Sequence, residues 1–165
     1  ILFKDGLIRK FIEDDKYDNI IYKAIKNHNK YAIEDGLDEK KLLHAKIIRD
    51  ADKTDIYEVY IRDIESNENA IFNYDNISKE KISDKVLEVV KEHKLVDRYY
   101  TVNEADRYVA ALAFIFDFNF KKGLELVKER QYITKLINRV RTENNEEEME
   151  VIERNILEYF KEKNI

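Results

Sequence analysis

Five charged residues crowd two turns of one otherwise apolar segment, HAKIIRDADKTDIY (44–57): Arg49, Asp50, Asp52, Lys53 and Asp55. At about 100° per residue, Leu42, Ala45, Ile48, Ile56, Val59 and Tyr60 share one arc of a helix, and Asp52 projects from its middle. A carboxylate on a buried arc must be paired or bound to a metal, because leaving it bare costs several kcal/mol or forces it to stay protonated. Arg49, one turn earlier and roughly 60° round the helix, is the partner for a plain ion pair. Three carboxylates flanked by Arg and Lys are equally a way to hold a divalent cation and a phosphate together.

His28 is the second candidate. It continues an apolar stripe and points inward, either as a C-terminal histidine favoured by the helix dipole or as a donor aimed into the same interior. His44, roughly 80° from Asp52, reads as a boundary residue, and His93, followed by Lys94, as solvated. Asp106, Ala110, Ala113 and Asp117 form a narrow stripe whose small residues favour close packing over a pocket lining, and Asp117 is placed to cap the next helix. No Gly-rich phosphate loop, H-E-x-x-H pair or serine nucleophile elbow occurs.

The elements that would position these residues are all helices. Phe3 to Ile12 reads as a short one, or as a helix end and a new start around Asp5 and Gly6, and Tyr17 to about His28 as a clearer one, with Tyr17, Ile20, Ile21, Ala24 and Ile25 at helical spacing. A loop containing Gly36 leads to a long helix from about Asp38 to Ile64. Ser66 to Lys79, rich in Asn and Ser, lacks a sustained period and reads as the longest connection. A helix from about Ser78 to Glu92 follows. Thr101 and Glu104 form a capping box opening an unusually apolar helix through YVAALAFIFDF, which belongs at the centre of a bundle. FKKGLELVKERQYITKLINRV makes one helix or two. The last helix, Asn145 to Lys163, carries Met149, Ile152, Ile156 and Phe160 on one face, which can cover its own core or that of a second copy.

Composition narrows the classes further. The 165 residues contain no Pro and three Gly, so the punctuation of hairpins and tight turns is missing and the fold class is all-α. A hydrophobic fraction of 44% is enough to build one packed domain. The formal net charge of −5 argues against a nucleic-acid backbone as the main partner. With no Cys, disulfides and thiol chemistry are excluded. No apolar run is long enough to span a membrane, and the opening ILFKDGLIRKF is too short and charged for a signal peptide, so the expected location is cytoplasmic.

At IKNHNKYAI (25–33) and LLHAKIIRDADKTDIY (42–57) the chain resembles the HD-domain superfamily of metal-dependent phosphohydrolases. The resemblance implies a single-domain helical bundle in which a first His, a His-Asp doublet and a last Asp coordinate one or two divalent metals, whether Mn, Fe, Ni, Zn or Mg. The last Asp falls on Asp52, with Asp50 as second choice. His28 matches an additional histidine near the phosphate or second metal, and Lys30, Arg49 and Lys53 would neutralise phosphate charge. The first His and the His-Asp doublet have no counterpart here; in the family they lie upstream of the segment resembling ILFKDGLIRKFI. The expectation is therefore an HD-like domain over 1–165 whose N-terminal part is missing. Its implied activity is hydrolysis of a small phosphorylated compound or nucleotide, the alternative being a non-catalytic ligand- or protein-binding module on the same scaffold.

Overall fold

The computed structural model describes residues 1–165 and contains eight α-helices and no strand, so the chain is all-α. The helices are α1 (Asp18–Asn27), α2 (Glu39–Ser66), α3 (Tyr74–Ile77), α4 (Asp84–Lys91), α5 (Glu104–Leu112), α6 (Lys121–Glu129), α7 (Tyr132–Val140) and α8 (Glu146–Glu162). The backbone falls into two compact units, Ile1–Arg49 and Asp50–Ile165, with α2 contributing to both.

In the first unit, the short helix expected near the start is a single 3-10 turn, Leu7–Lys10. Its Arg9 ties it to α1 through Asp18, and Phe3 meets Tyr22 edge to face with ring centroids 5.5 Å apart. The expected stripe on α1 buries only in part. Ala24 is covered, whereas Tyr17 stays 46% exposed. The polar Asn27 is the fully buried residue of α1, its amide donating to the Lys23 carbonyl at 2.8 Å and accepting from Glu34 N at 2.9 Å.

The second unit holds a continuous apolar core drawn from α2 through α8. The face expected of the last helix is the observed one, with Met149, Ile152, Ile156 and Phe160 all buried. The apolar α5 is central as expected, burying Tyr108, Val109 and Leu112 among others. The segment 120–140 is two helices, parted at Arg130 and Gln131, where Gln131 takes a left-handed φ of 57°.

Three local expectations change. Ser66–Lys79 is not only loop: α3 sits within it because Tyr74 and Ile77 are fully buried anchors. The cap of α5 is Asn103, accepting from Asp106 N, while Thr101 donates its hydroxyl back to the Arg98 carbonyl. And α4 begins at Asp84 because Ser83 is engaged by Asp106, fully buried and accepting from Ser83 N at 2.8 Å, Ser83 Oγ at 2.6 Å and Val102 N at 3.0 Å. Carboxylates do for these turns what Gly and Pro do elsewhere. Glu80 accepts from the first N–H groups of α5, and Asp63 from Ala70 N and the Tyr74 hydroxyl, each such bond to a charged acceptor stabilising by about 1.5 kcal/mol or more.

Candidate functional site

The buried face of α2 differs from the arc of apolar residues counted above. Its covered positions are Ala45, Arg49, Lys53, Tyr57 and Ile61, spaced by four, with Asp50 and Asp63 beside them, whereas Val59 is 40% exposed. The face is centred near Lys53, roughly 100° from Asp52. Asp52 is consequently half-buried, and it makes no ion pair or side-chain hydrogen bond. The expectation that it sits in the middle of a buried arc is corrected. The cause is that two cations, not two aliphatic residues, fill the covered positions.

Arg49 ends the first unit and serves there as a clamp. Its guanidinium is 1% exposed and donates to the carbonyls of Asn27 at 2.9 Å, Lys30 at 2.6 Å and Tyr31 at 3.3 Å. These are the acceptors a helix leaves open at its C-terminus and in the residues just beyond, so Arg49 fixes how the chain leaves α1. His28, the residue after α1, is half-buried, with ring Nδ1 2.6 Å from the Ile25 carbonyl. A carbonyl only accepts, so Nδ1 is the donor of this bond, and a neutral ring would then present the lone pair of Nε2. Lys30 is partly exposed and pairs with Glu34 at 3.3 Å.

Asp50 opens the second unit and is 7% exposed. Its carboxylate accepts from Asn119 N at 2.9 Å, Asn119 Nδ2 at 3.0 Å and Phe120 N at 2.9 Å. Phe120 is the N-cap residue of α6 and has no side-chain oxygen to offer, so Asp50 supplies the anion that a helix start favours. Gly123, one turn in, lets the chain pack close: a Cβ there would lie 2.6 Å from the Phe118 ring and 3.4 Å from Asp50 Oδ2. Lys53 is 5% exposed, its ammonium 2.6 Å from Asp117 Oδ2. The capping role expected of Asp117 is thus taken by Asp50, and Asp117 holds the buried lysine.

An open groove of about 530 Å³ in the second unit runs between α2 and α6, floored by Leu126 and Tyr132. At one end the Tyr132 hydroxyl donates to Glu58, Arg130 bonds both, and Arg62 reaches Glu58 at 3.3 Å. The Tyr132 bond, ahead of the arginine charges, holds the Glu58 carboxyl below the ordinary carboxylate range. Of the charged residues singled out from the sequence, Asp50 and Asp55 line this groove, whereas Arg49, Asp52 and Lys53 do not. The chain matches no family model, no curated protein and no solved structure. The functional reading therefore rests on the residues themselves.

No three His, Asp or Glu side chains converge on one point. Arg49 and Lys53 are committed to carbonyls and to Asp117, and the oxygens of Asp50 to N–H donors. In the first unit His28 Nε2 is left for a ligand, and in the second Asp52 and the exposed Asp55; neither unit supplies the set of several N and O ligands that a transition metal needs. The described residues do not by themselves fit a divalent metal centre.

Proposed function

We propose that this chain is part of an HD-type metal-dependent phosphohydrolase acting on a small phosphorylated compound or nucleotide, with Asp52 as its contribution to the metal site. The observation that carries the reading is the division of labour in R-D-A-D-K. Arg49, Asp50 and Lys53 are buried and bonded within the protein, while Asp52 alone is left with free oxygens on a helix pinned by its neighbours. Rigid placement of an unspent carboxylate is what a ligand position requires. The resemblance to the HD superfamily adds the metal and phosphate chemistry. His28 supports the same reading, since a backbone carbonyl on Nδ1 is the usual way to present Nε2 to a metal or phosphate.

Because the ligands present do not fit a complete centre, the reading requires further donors from outside residues 1–165. Within them, Asp50 is read as a positioning residue and not as the second-choice ligand. The test is made on the full-length gene product: manganese binding by equilibrium dialysis and hydrolysis of p-nitrophenyl phosphate, for the wild type and for Asp52→Asn. Stoichiometric metal and a rate lowered at least tenfold in the variant are expected. Equal metal content and equal rate would overturn the assignment of Asp52, and absence of both metal and hydrolysis in the wild type would overturn the enzyme itself.

A second reading is favoured by the same satisfied charges, a non-catalytic ligand- or protein-binding module on this scaffold. A phosphorylated compound that raises the melting temperature without being turned over would select it, because any ligand that binds only the native state stabilises it.

A further inference from the structure

One face of α1 and its extension converge on a single carboxylate. Lys23, Lys26 and Lys30, spaced to lie on one side of a helix, all reach Glu34. Lys23 Nζ bonds Oε1, while Lys26 Nζ at 3.2 Å and Lys30 Nζ at 3.3 Å share Oε2. The chain is folded back to make this possible: Glu34 N donates to the buried Asn27 amide at 2.9 Å, and Gly36, at a left-handed φ of 77°, turns the loop away again.

The cluster is over-provided with cations. Three ammonium groups against one carboxylate leave a local surplus of two positive charges in a chain whose net charge is −5. It is also reachable from solvent, the side chains of Lys26 and Lys30 being 42% and 39% exposed. A phosphate group brings two negative charges and a terminal oxygen for each ammonium, where Glu34 brings one charge and makes two lysines share an oxygen.

We propose that Lys23, Lys26 and Lys30 form a binding site for a phosphomonoester or pyrophosphate group, with Glu34 as a built-in occupant that the ligand displaces. The inference does not depend on catalysis at Asp52, and the two fail separately. Lysine hydrogen bonds, that of Lys23 foremost, hold the Glu34 carboxyl down at about 2, so Glu34 is ionised at neutral pH and leaves only in competition with another anion. A tethered carboxylate has an effective concentration in the millimolar range. A single-charge anion such as acetate therefore does not displace it, whereas a more highly charged one does.

The test is a titration of the wild type with inorganic pyrophosphate at constant ionic strength, read by backbone amide resonances, with acetate as control. Saturable shifts confined to residues 23–34 are expected with pyrophosphate only. Glu34→Gln, which keeps the shape and removes the charge, is expected to bind at least tenfold more tightly, and the double variant Lys26→Ala, Lys30→Ala to lose the shifts. Absence of saturable shifts in the wild type, equal shifts with acetate, or binding retained by the double variant would each overturn the proposal. Since Lys26 and Lys30 are partly exposed, that variant keeps the test decisive even if Glu34→Gln disturbs the loop.

Discussion

Exchanging Asp50 and Asp52 separately for alanine separates a carboxylate that holds the fold from one that the fold leaves free. In Asp50→Ala the N–H groups of Asn119 and Phe120 and the Asn119 amide lose a charged acceptor at distances of 2.9 to 3.0 Å. Each backbone bond to a charged group contributes about 1.5 kcal/mol net, and replacing Asp by Ala inside a helix returns roughly 0.6 kcal/mol of propensity. Two such bonds less that gain give a loss of about 2.4 kcal/mol. At 2–4 °C per kcal/mol for a chain of about this size, the melting temperature falls by roughly 5–10 °C. Asp52→Ala removes no bond and brings the same propensity gain, so it leaves stability unchanged or raises it by up to about 0.6 kcal/mol. The assay is urea unfolding at pH 7 followed by circular dichroism. The slope m must be unchanged, so that the midpoint reports stability and not a lost cooperative unit. Near-equal midpoints for Asp50→Ala and wild type, or an equal loss in Asp52→Ala, would refute the assignment of roles.

Three further outcomes follow from the same geometry. The Glu34 carboxyl carbon, followed by NMR, is expected to titrate with a midpoint near 2 and not at its ordinary 4.5. Because its pKa is lowered on folding, the stabilisation it contributes is complete above pH 4.5 and is lost as pH falls through 2, and added salt raises the midpoint. Tyr132→Phe removes the largest cause of the lowered Glu58 pKa, so the Glu58 titration is expected to move up toward the ordinary carboxylate range while the fold, by chemical shifts, persists. Gln131, held at a left-handed φ of 57° between α6 and α7, is expected to gain up to about 1 kcal/mol of stability on replacement by Gly, measured by urea midpoint; a loss would show that the left-handed turn is not strained.

The existence of most helices is legible from helical spacing, but which face is covered is legible only where apolar residues dominate it. The last helix could be read from Met149, Ile152, Ile156 and Phe160 because apolar residues dominate its covered face, Asn155 being the polar exception, and the all-α class from the lack of Pro and Gly together with helical spacing. The face of α2 was not legible by counting apolar residues, since Arg49 and Lys53 occupy it and their partners are carbonyls and a carboxylate lying elsewhere in the chain. Asp50 illustrates the limit: its acceptors serve Asn119 and Phe120, 69 and 70 residues away, and no local pattern announces a contact of that range. One signal was available all the same. Ala45, Arg49, Lys53, Tyr57 and Ile61 recur at every fourth position, and a cation at the centre of such a run can bury its stem while its head finds an acceptor.

Read in that register, R-D-A-D-K describes a scaffold before it describes chemistry. Burying Arg49, Asp50 and Lys53 is tolerable only because each meets a partner with good geometry; removing one partner leaves an uncompensated charge, which costs far more than the pair contributes. Sequence change at these three positions is therefore constrained by folding, whatever the activity. Asp52 is under no such constraint from the contacts within the protein, so the proposed ligand role and the packing of the fold are separable at position 52. That asymmetry makes Asp52, and not its more deeply buried neighbour Asp50, the residue whose substitution tests the proposed ligand role.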